Sequence, residues 1–412
     1  MDTMRLPLSA ALAATILAAC GGGDPTNTGG GGTGTTTTTG GAGGAVPEHP
    51  ALPQVINIGG PVLAQPKVQP IVYASDPHTG EIEAFLAELA STSYWGQATA
   101  EYGVGALTVL PTLKMADPAP ASLSDGDLQT ALEDNTGGVN PAWGTPDASV
   151  IYLFVLPKGT VVDAGGPCCT EFDGYHDEVT LGSTTVAYAS VCSCPGFDGQ
   201  GVDEIQQITV AMSHELIEAA TDPFVQSNPA YYQTDDDNPA WTLATGGEVA
   251  DMCELDDGSF VIPQGSKYMV QKSWSNAAAA AGAWPCVPAT SAGPYFAATP
   301  VLSDEISISG WSGSHRGGIV PSGQSRTFDV KLWAAGPLAG PIEVKAVDLA
   351  DFFGGKPHLD LSFDKPSGQS GDTLHLTVKV NGIDSTIGAD VFVVEAKVGS
   401  DVTLSLGAIN TH

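Results

Sequence analysis

The chain has 412 residues, enough for two folded domains, and a formal net charge of −32 from 14 basic and 46 acidic residues. That balance excludes nucleic acid as a partner, because phosphate recognition needs clustered Lys and Arg. With 51 glycines and 42% apolar residues the composition fits a loop-rich, β-rich body, and beyond the N-terminus no apolar run is long enough to span a bilayer.

Arg5 supplies a short positive region, and Leu6 to Ala19 are apolar or small. Leu17-Ala18-Ala19-Cys20 follows and resembles a bacterial lipobox, so residues 1–20 are read as a lipoprotein signal peptide with cleavage before Cys20 and acylation of its thiol. The acyl chains then make the membrane a partner and put the protein in the bacterial cell envelope, at the outer membrane or cell surface. Residues 21–46 are nearly all Gly and Thr with almost nothing apolar to bury, a flexible spacer.

Folded sequence is expected from Val55-Ile56-Asn57-Ile58 onward. Pro70 to Ser75 reads as a strand. Gly80 to Ala90 reads as an amphipathic helix with Ile82, Phe85, Leu86 and Leu89 on one side. Ser124 is suited to cap a helix through Leu128, Ala131 and Leu132. Ser149 to Leu156 is a continuous apolar run, as a central strand buried on both faces requires, and Thr184 to Val191 alternates as a further strand would. His176 lies in the polar stretch Tyr175-His176-Asp177-Glu178, which reads as a loop with an exposed His; a metal or substrate-side role is the alternative.

The chemistry concentrates in Ser213-His214-Glu215-Leu216-Ile217-Glu218, near the end of a helix that starts near Val202 and is stopped by Pro223. His214 and Glu218 are four apart and share one face; Ile205, Ile208, Met212, Leu216 and Ala219 form the opposite one. Two ligands at that spacing reach one ion, and Glu215 is then placed to take a proton from metal-bound water, as in the H-E-x-x-H zinc hydrolases with Glu218 in place of the second His. Asp222 lies too far along the axis to be a good third ligand. Glu248 and Asp251, one turn apart at an expected helix start, are better placed: one is assigned as ligand and the other as its hydrogen-bonding support. Zn2+ is the expected ion. Two carboxylates make it a weaker Lewis acid, which leaves Mn2+ or Ca2+ open. Asp235-Asp236-Asp237 is read as a solvated turn with calcium binding as the alternative.

Setting Cys20 aside leaves Cys168, Cys169, Cys192, Cys194, Cys253 and Cys286, an even number that suggests three disulfides in an exported chain. Their pairing stays open, and a thiolate zinc site at Cys168-Cys169 with Cys192 and Cys194 is the alternative.

Several short stretches between Val150 and Pro288 carry a resemblance. They are Ile151-Tyr152-Leu153-Phe154, Cys169 with Gly174-Tyr175-His176, Cys194-Pro195-Gly196, the His214 helix with Thr221-Asp222-Pro223, Gly247 to Asp251, and Tyr268 to Asn276. In this order they resemble bacterial relatives of the phosphate-induced, EXORDIUM-like secreted proteins carrying a zincin-like helix. The resemblance implies a secreted protein whose plant relatives are tied to growth signalling. The glutamate zincins are similar in drawing a Glu ligand from a second helix.

After Ala289 period-two alternation takes over, at Ile306/Ile308, Phe328/Val330/Leu332, Ile342/Val344/Ala346, Leu374 to Val380 and Val402/Leu404/Leu406. Short strands separated by Gly, Pro and Asp signal an antiparallel sandwich. The expected architecture is an α+β zincin-like domain over 47–292 followed by an all-β, immunoglobulin-like sandwich over 293–412. The expected function is metal-dependent hydrolysis of a peptide or cell-surface polymer. The alternative is a non-enzymatic surface binding or adhesion protein with a structural metal.

Overall fold

A computed structural model of the chain describes residues 49–411, apart from 138–140, 198–200, 257, 353 and 385. The signal segment, Cys20 and the Gly/Thr spacer lie outside the described residues. Among the described residues no helix is long and apolar enough to cross a membrane.

The N-terminal part runs β1 (Val55–Asn57), β2 (Lys67–Tyr73), α1 (Thr79–Ser91), α2 (Ser93–Thr99), β3 (Thr108–Val109), β4 (Leu113–Met115), β5 (Ser122–Ser124) and α3 (Asp125–Leu132). It continues with β6 (Val150–Leu156), β7 (Val161–Asp163), β8 (Gly174–Leu181), β9 (Thr184–Cys192), α4 (Glu204–Thr221), β10 (Tyr231–Thr234) and α5 (Pro239–Thr245). Its main sheet has the order β3-β2-β6-β9-β8, with β4 also paired to β2. The strands are parallel except β8, which runs antiparallel to β9 at the edge. β6 is buried along its whole length, the consequence of its unbroken apolar run. Ile82, Phe85, Leu86 and Leu89 are the buried face of α1, and Ser124 caps α3 in a capping box with Asp127.

Side-chain alternation sorts this sheet into two faces. Val186, Tyr188 and Cys192 of β9 join Leu128 and Leu132 of α3 in one core. Ala187, Ala189 and Val191 join Ile208, Met212, Leu216 and Ala219 of α4 in another. α4 starts at Glu204, two residues later than expected, and is capped by Asp203, whose carboxylate accepts from Gln206 N in a second capping box. From Gln207 to Thr221 every residue is buried. The helix is therefore not two-faced: the sheet covers one side, and a returning segment covers the side that carries His214 and Glu218.

That segment is short pairs and turns: Asp251–Cys253 as a single 3-10 turn, β11 (Phe260–Val261) with β12 (Val270–Gln271), and β13 (Ser273–Trp274), then α6 (Asn276–Ala280), then β14 (Cys286–Val287), which pairs with β13. The expected helix at Gly247 is absent among the described residues: Gly246 and Gly247 both take positive φ, which ends α5 instead of starting a helix. Hydrogen bonds hold the segment along α4, with Gln271 N donating to Ser213 Oγ at 3.0 Å and Thr209 Oγ1 donating to Met269 O at 2.8 Å.

The remainder is strand: β15 (Phe296–Pro300), β16 (Asp304–Ile306), β17 (His315–Ile319), β18 (Ser325–Ala334), β19 (Ile342–Asp348), the turn α7 (Leu349–Phe352), β20 (Leu359–Phe363), β21 (Ser367–Gly368), β22 (Thr373–Val380), β23 (Ala389–Val398) and β24 (Asp401–Asn410). They form a sheet of order β15-β18-β22-β20 and one of order β16-β17-β24-β23-β19-β21, and the inner faces of both supply one core containing Phe328, Leu376, Phe392 and Val394. Pairing is antiparallel except between β17 and β24, which run parallel at Gly318 and Ile319. The other face of the six-stranded sheet, with Val391, Val393, Leu406 and Ala408, shares a continuous apolar cluster with Trp241, Trp274 and α4. Asp236 and Asp237 reach across this junction, Asp236 facing His315 and Asp237 pairing with Arg316, while Asp235 accepts from Gln54 N within the N-terminal part. The whole is a mixed α+β fold dominated by strands.

Candidate metal centre

Three segments distant in sequence meet on the covered side of α4. The helix contributes His214, Glu215 and Glu218, all buried. β8 contributes His176, and the 248–254 turn contributes Glu248, Asp251 and Glu254. His214 Nε2 lies 3.0 Å from Glu218 Oε2 and 3.5 Å from Asp251 Oδ1, while its Nδ1 is 3.8 Å from Glu254 Oε1. His176 Nδ1 lies 3.6 Å from Glu215 Oε2 and 3.8 Å from Glu218 Oε2, and its Nε2 is 3.5 Å from Glu248 Oε1.

His176 stands in an edge strand, opposite Ala189 of β9, and not in an exposed loop. Gly174, His176 and Glu178 face α4, whereas Tyr175 turns to the other face and donates to Asp125 Oδ1 at 2.6 Å. The polar string hid this because both faces of β8 carry polar residues with buried partners. The signal available was the short turn Gly182-Ser183 behind it, leading straight into a strand with the opposite alternation. Glu254 carried no signal beyond its place one turn from Asp251.

Glu218 joins helix to turn. Its Oε1 accepts from Ala250 N at 3.2 Å and from Asp251 N at 3.0 Å, while Oε2 faces the imidazoles. Cys253, two residues after Asp251, is bonded to Cys286, which fixes the turn against β14. Cys168 bonds Cys192 and Cys169 bonds Cys194, so these four cysteines are disulfides and not a thiolate metal site. Asp222 ends α4 and accepts from Ala230 N at 2.7 Å, away from His214.

The electrostatics point one way. Burial opposes ionisation of Glu218, but His214, His176 and the Asp251 amide outweigh it and hold its pKa below the usual carboxylate range. Burial and the charge of Glu218 push Asp251 up to about 7. Burial raises Glu248 and Glu254 well above their ordinary value, with neighbouring carboxylates adding to it. Burial alone would depress both histidines; the surrounding carboxylates instead raise them well above the ordinary value, led by Glu248 for His176 and by Glu218 for His214. The pocket is short of positive charge.

A divalent cation fits that shortage. His214, Glu218 and Asp251 offer ligand atoms within 4.8 Å of one another, and so do His176, Glu218 and Glu248. Ligands about 2.0–2.1 Å from a tetrahedral ion sit about 3.3 Å apart, close to the His214–Glu218 and His214–Asp251 separations. Of the ligands expected from sequence, His214 and Glu218 come together with Asp251 in one group, and Glu248 falls in the group of His176. Comparison with known proteins finds no matching family model and no matching curated sequence.

Proposed function

We propose that the chain is an exported, lipid-anchored surface protein whose centre at His214, Glu218 and Asp251 holds a zinc-type ion and supports hydrolysis of peptide bonds. The observation that carries this reading is Glu215: a buried carboxylate beside the ligand pair, with its Oε2 3.6 Å from His176 and no Lys or Arg paired to it among the described residues. Such a group is suited to general-base work. When bound, the ion polarises a scissile carbonyl and acidifies water. Glu215 takes the proton of the attacking water and returns it to the leaving amine. Asp251, tied to the Glu248 amide at 3.3 Å, keeps the turn in register with His214. β8 is the last strand of its sheet, and on this reading an extended peptide pairs along it, next to Gly174 and Glu215. We read the fold accordingly as a zincin-like domain over 47–292 with an immunoglobulin-like sandwich over 293–412. The resemblance to EXORDIUM-like secreted proteins is consistent with export.

A structural role is the second reading, favoured by the two amide hydrogen bonds to Glu218 Oε1, which already staple α4 to the turn. Glu215→Gln separates the two. Under the hydrolase reading the variant keeps its metal and stability and loses peptide hydrolysis by about a hundredfold or more. Equal cleavage by both proteins, or none by metal-loaded wild type against a broad peptide library, refutes the hydrolase.

A further inference from the structure

The geometry points to two divalent cations in this centre, not one, with the Glu218 carboxylate shared between them. The inference rests on the metal reading above but not on hydrolysis.

The first ground is the unpartnered pair. His176 Nε2 and Glu248 Oε1 are buried with no hydrogen-bond partner, although they lie 3.5 Å apart and face each other. The His176 side chain is 4% exposed. Leaving a buried imidazole nitrogen and a buried carboxylate oxygen unsatisfied is costly, and a cation between them serves both. Their separation again matches the ligand spacing of about 3.3 Å around a tetrahedral ion. The second ground is the division of ligands: the two imidazoles fall in different groups, and Glu218 is the member common to both. In two-metal sites the ions stand about 3.5–4 Å apart, a span that one carboxylate bridges.

The third ground is charge. Glu215, Glu218, Glu248, Asp251 and Glu254 make ion pairs only to His176 and His214 among the described residues. A ligating imidazole is neutral, so a single ion at His214 gives up one positive charge as it brings two. With His176 counted as a cation, that leaves two of the five carboxylates uncompensated in a buried setting. A second ion at His176 and Glu248 offsets all but one of the five. The oxygen-rich donor set suits Mn2+ as well as Zn2+.

The test uses the full chain, stripped with chelator and reloaded with Mn2+. Metal analysis is expected to give two ions per chain, with the electron paramagnetic resonance spectrum of an exchange-coupled pair. His176→Gln and Glu248→Gln, chosen to keep shape, are each expected to fall to one ion per chain with the spectrum of isolated Mn2+, while far-UV circular dichroism stays native. One ion per chain in wild type, unchanged by His176→Gln, overturns the second site and leaves the hydrolase reading standing. Two ions per chain without peptide cleavage supports this inference and removes the hydrolase. No bound ion at all overturns both.

Discussion

Gly174 offers a direct probe of how tightly β8 is fitted over the helix. A Cβ built there falls 2.7 Å from Glu215 Oε1, 2.8 Å from its Cγ and 3.1 Å from its Cδ. Cγ is near the root of a buried helical side chain and has little room to move. The strand cannot easily swing out either: Gly174 pairs with Val191, and Cys192, bonded to Cys168, donates its N–H to Asp173 O. Gly174→Ala therefore pits two terms against each other. Stiffening the unfolded chain stabilises by about 0.4–1 kcal/mol where the backbone tolerates Ala, and overpacking costs about 1–3 kcal/mol. The overlap wins, and a net loss of about 1–2 kcal/mol is expected. Glu215→Ala removes all three clashing atoms, so in that background Gly174→Ala is expected to be neutral or slightly stabilising. Chemical denaturation of the four proteins of this cycle should give a coupling of about 1–3 kcal/mol. The same effect of Gly174→Ala in both backgrounds refutes the packing argument.

In chelator, stability should fall as pH rises from 5 to 8. Asp251, Glu248, Glu254 and both histidines have folded pKa values raised above their unfolded ones, so their contribution is complete at low pH and lost as pH passes through the folded values, about 7 for Asp251. Glu218, lowered, acts the other way, but its window lies below its ordinary value of 4.5. Melting temperatures in chelator that are flat or rising over this range contradict the sign; saturating Mn2+ should reverse the trend, because the ion competes with protons. At the N-terminus, Cys20→Ser should move the protein from the membrane to the soluble fraction, and unchanged fractionation rules out acylation of Cys20.

How much of this was legible depended on whether local pattern and tertiary role agreed. β6 and α1 were readable because burial of their apolar residues is the whole of their job. The His214–Glu218 pair was readable because helical spacing alone puts both on one face. His176 was not, since its position is set by pairing with Ala189 and its neighbours are polar on both faces of the strand. The choice between Glu248 and Asp251 was not readable either. Two positive-φ glycines turn the expected helix start into a loop, and only the loop decides which acid meets which imidazole. The parallel register of β17 with β24 was invisible for a similar reason: alternation gives a strand its faces, not the direction of its neighbour.

The apolar cluster that runs from α4 through Trp241 and Trp274 onto Val391, Val393 and Leu406 has a consequence for how the molecule comes apart. Neither half can be released without wetting that shared surface, so melting one half withdraws stabilisation from the other. Heating is therefore expected to give a single calorimetric peak with matching calorimetric and van't Hoff enthalpies. Two resolved peaks would mean that the halves melt independently. A chain cut near residue 292 would leave the outer face of the six-stranded sheet exposed, a surface prone to self-association. The sheets at the C-terminal end thus cover an apolar surface of the half that carries the His214 cluster, and the two are expected to melt as one cooperative unit.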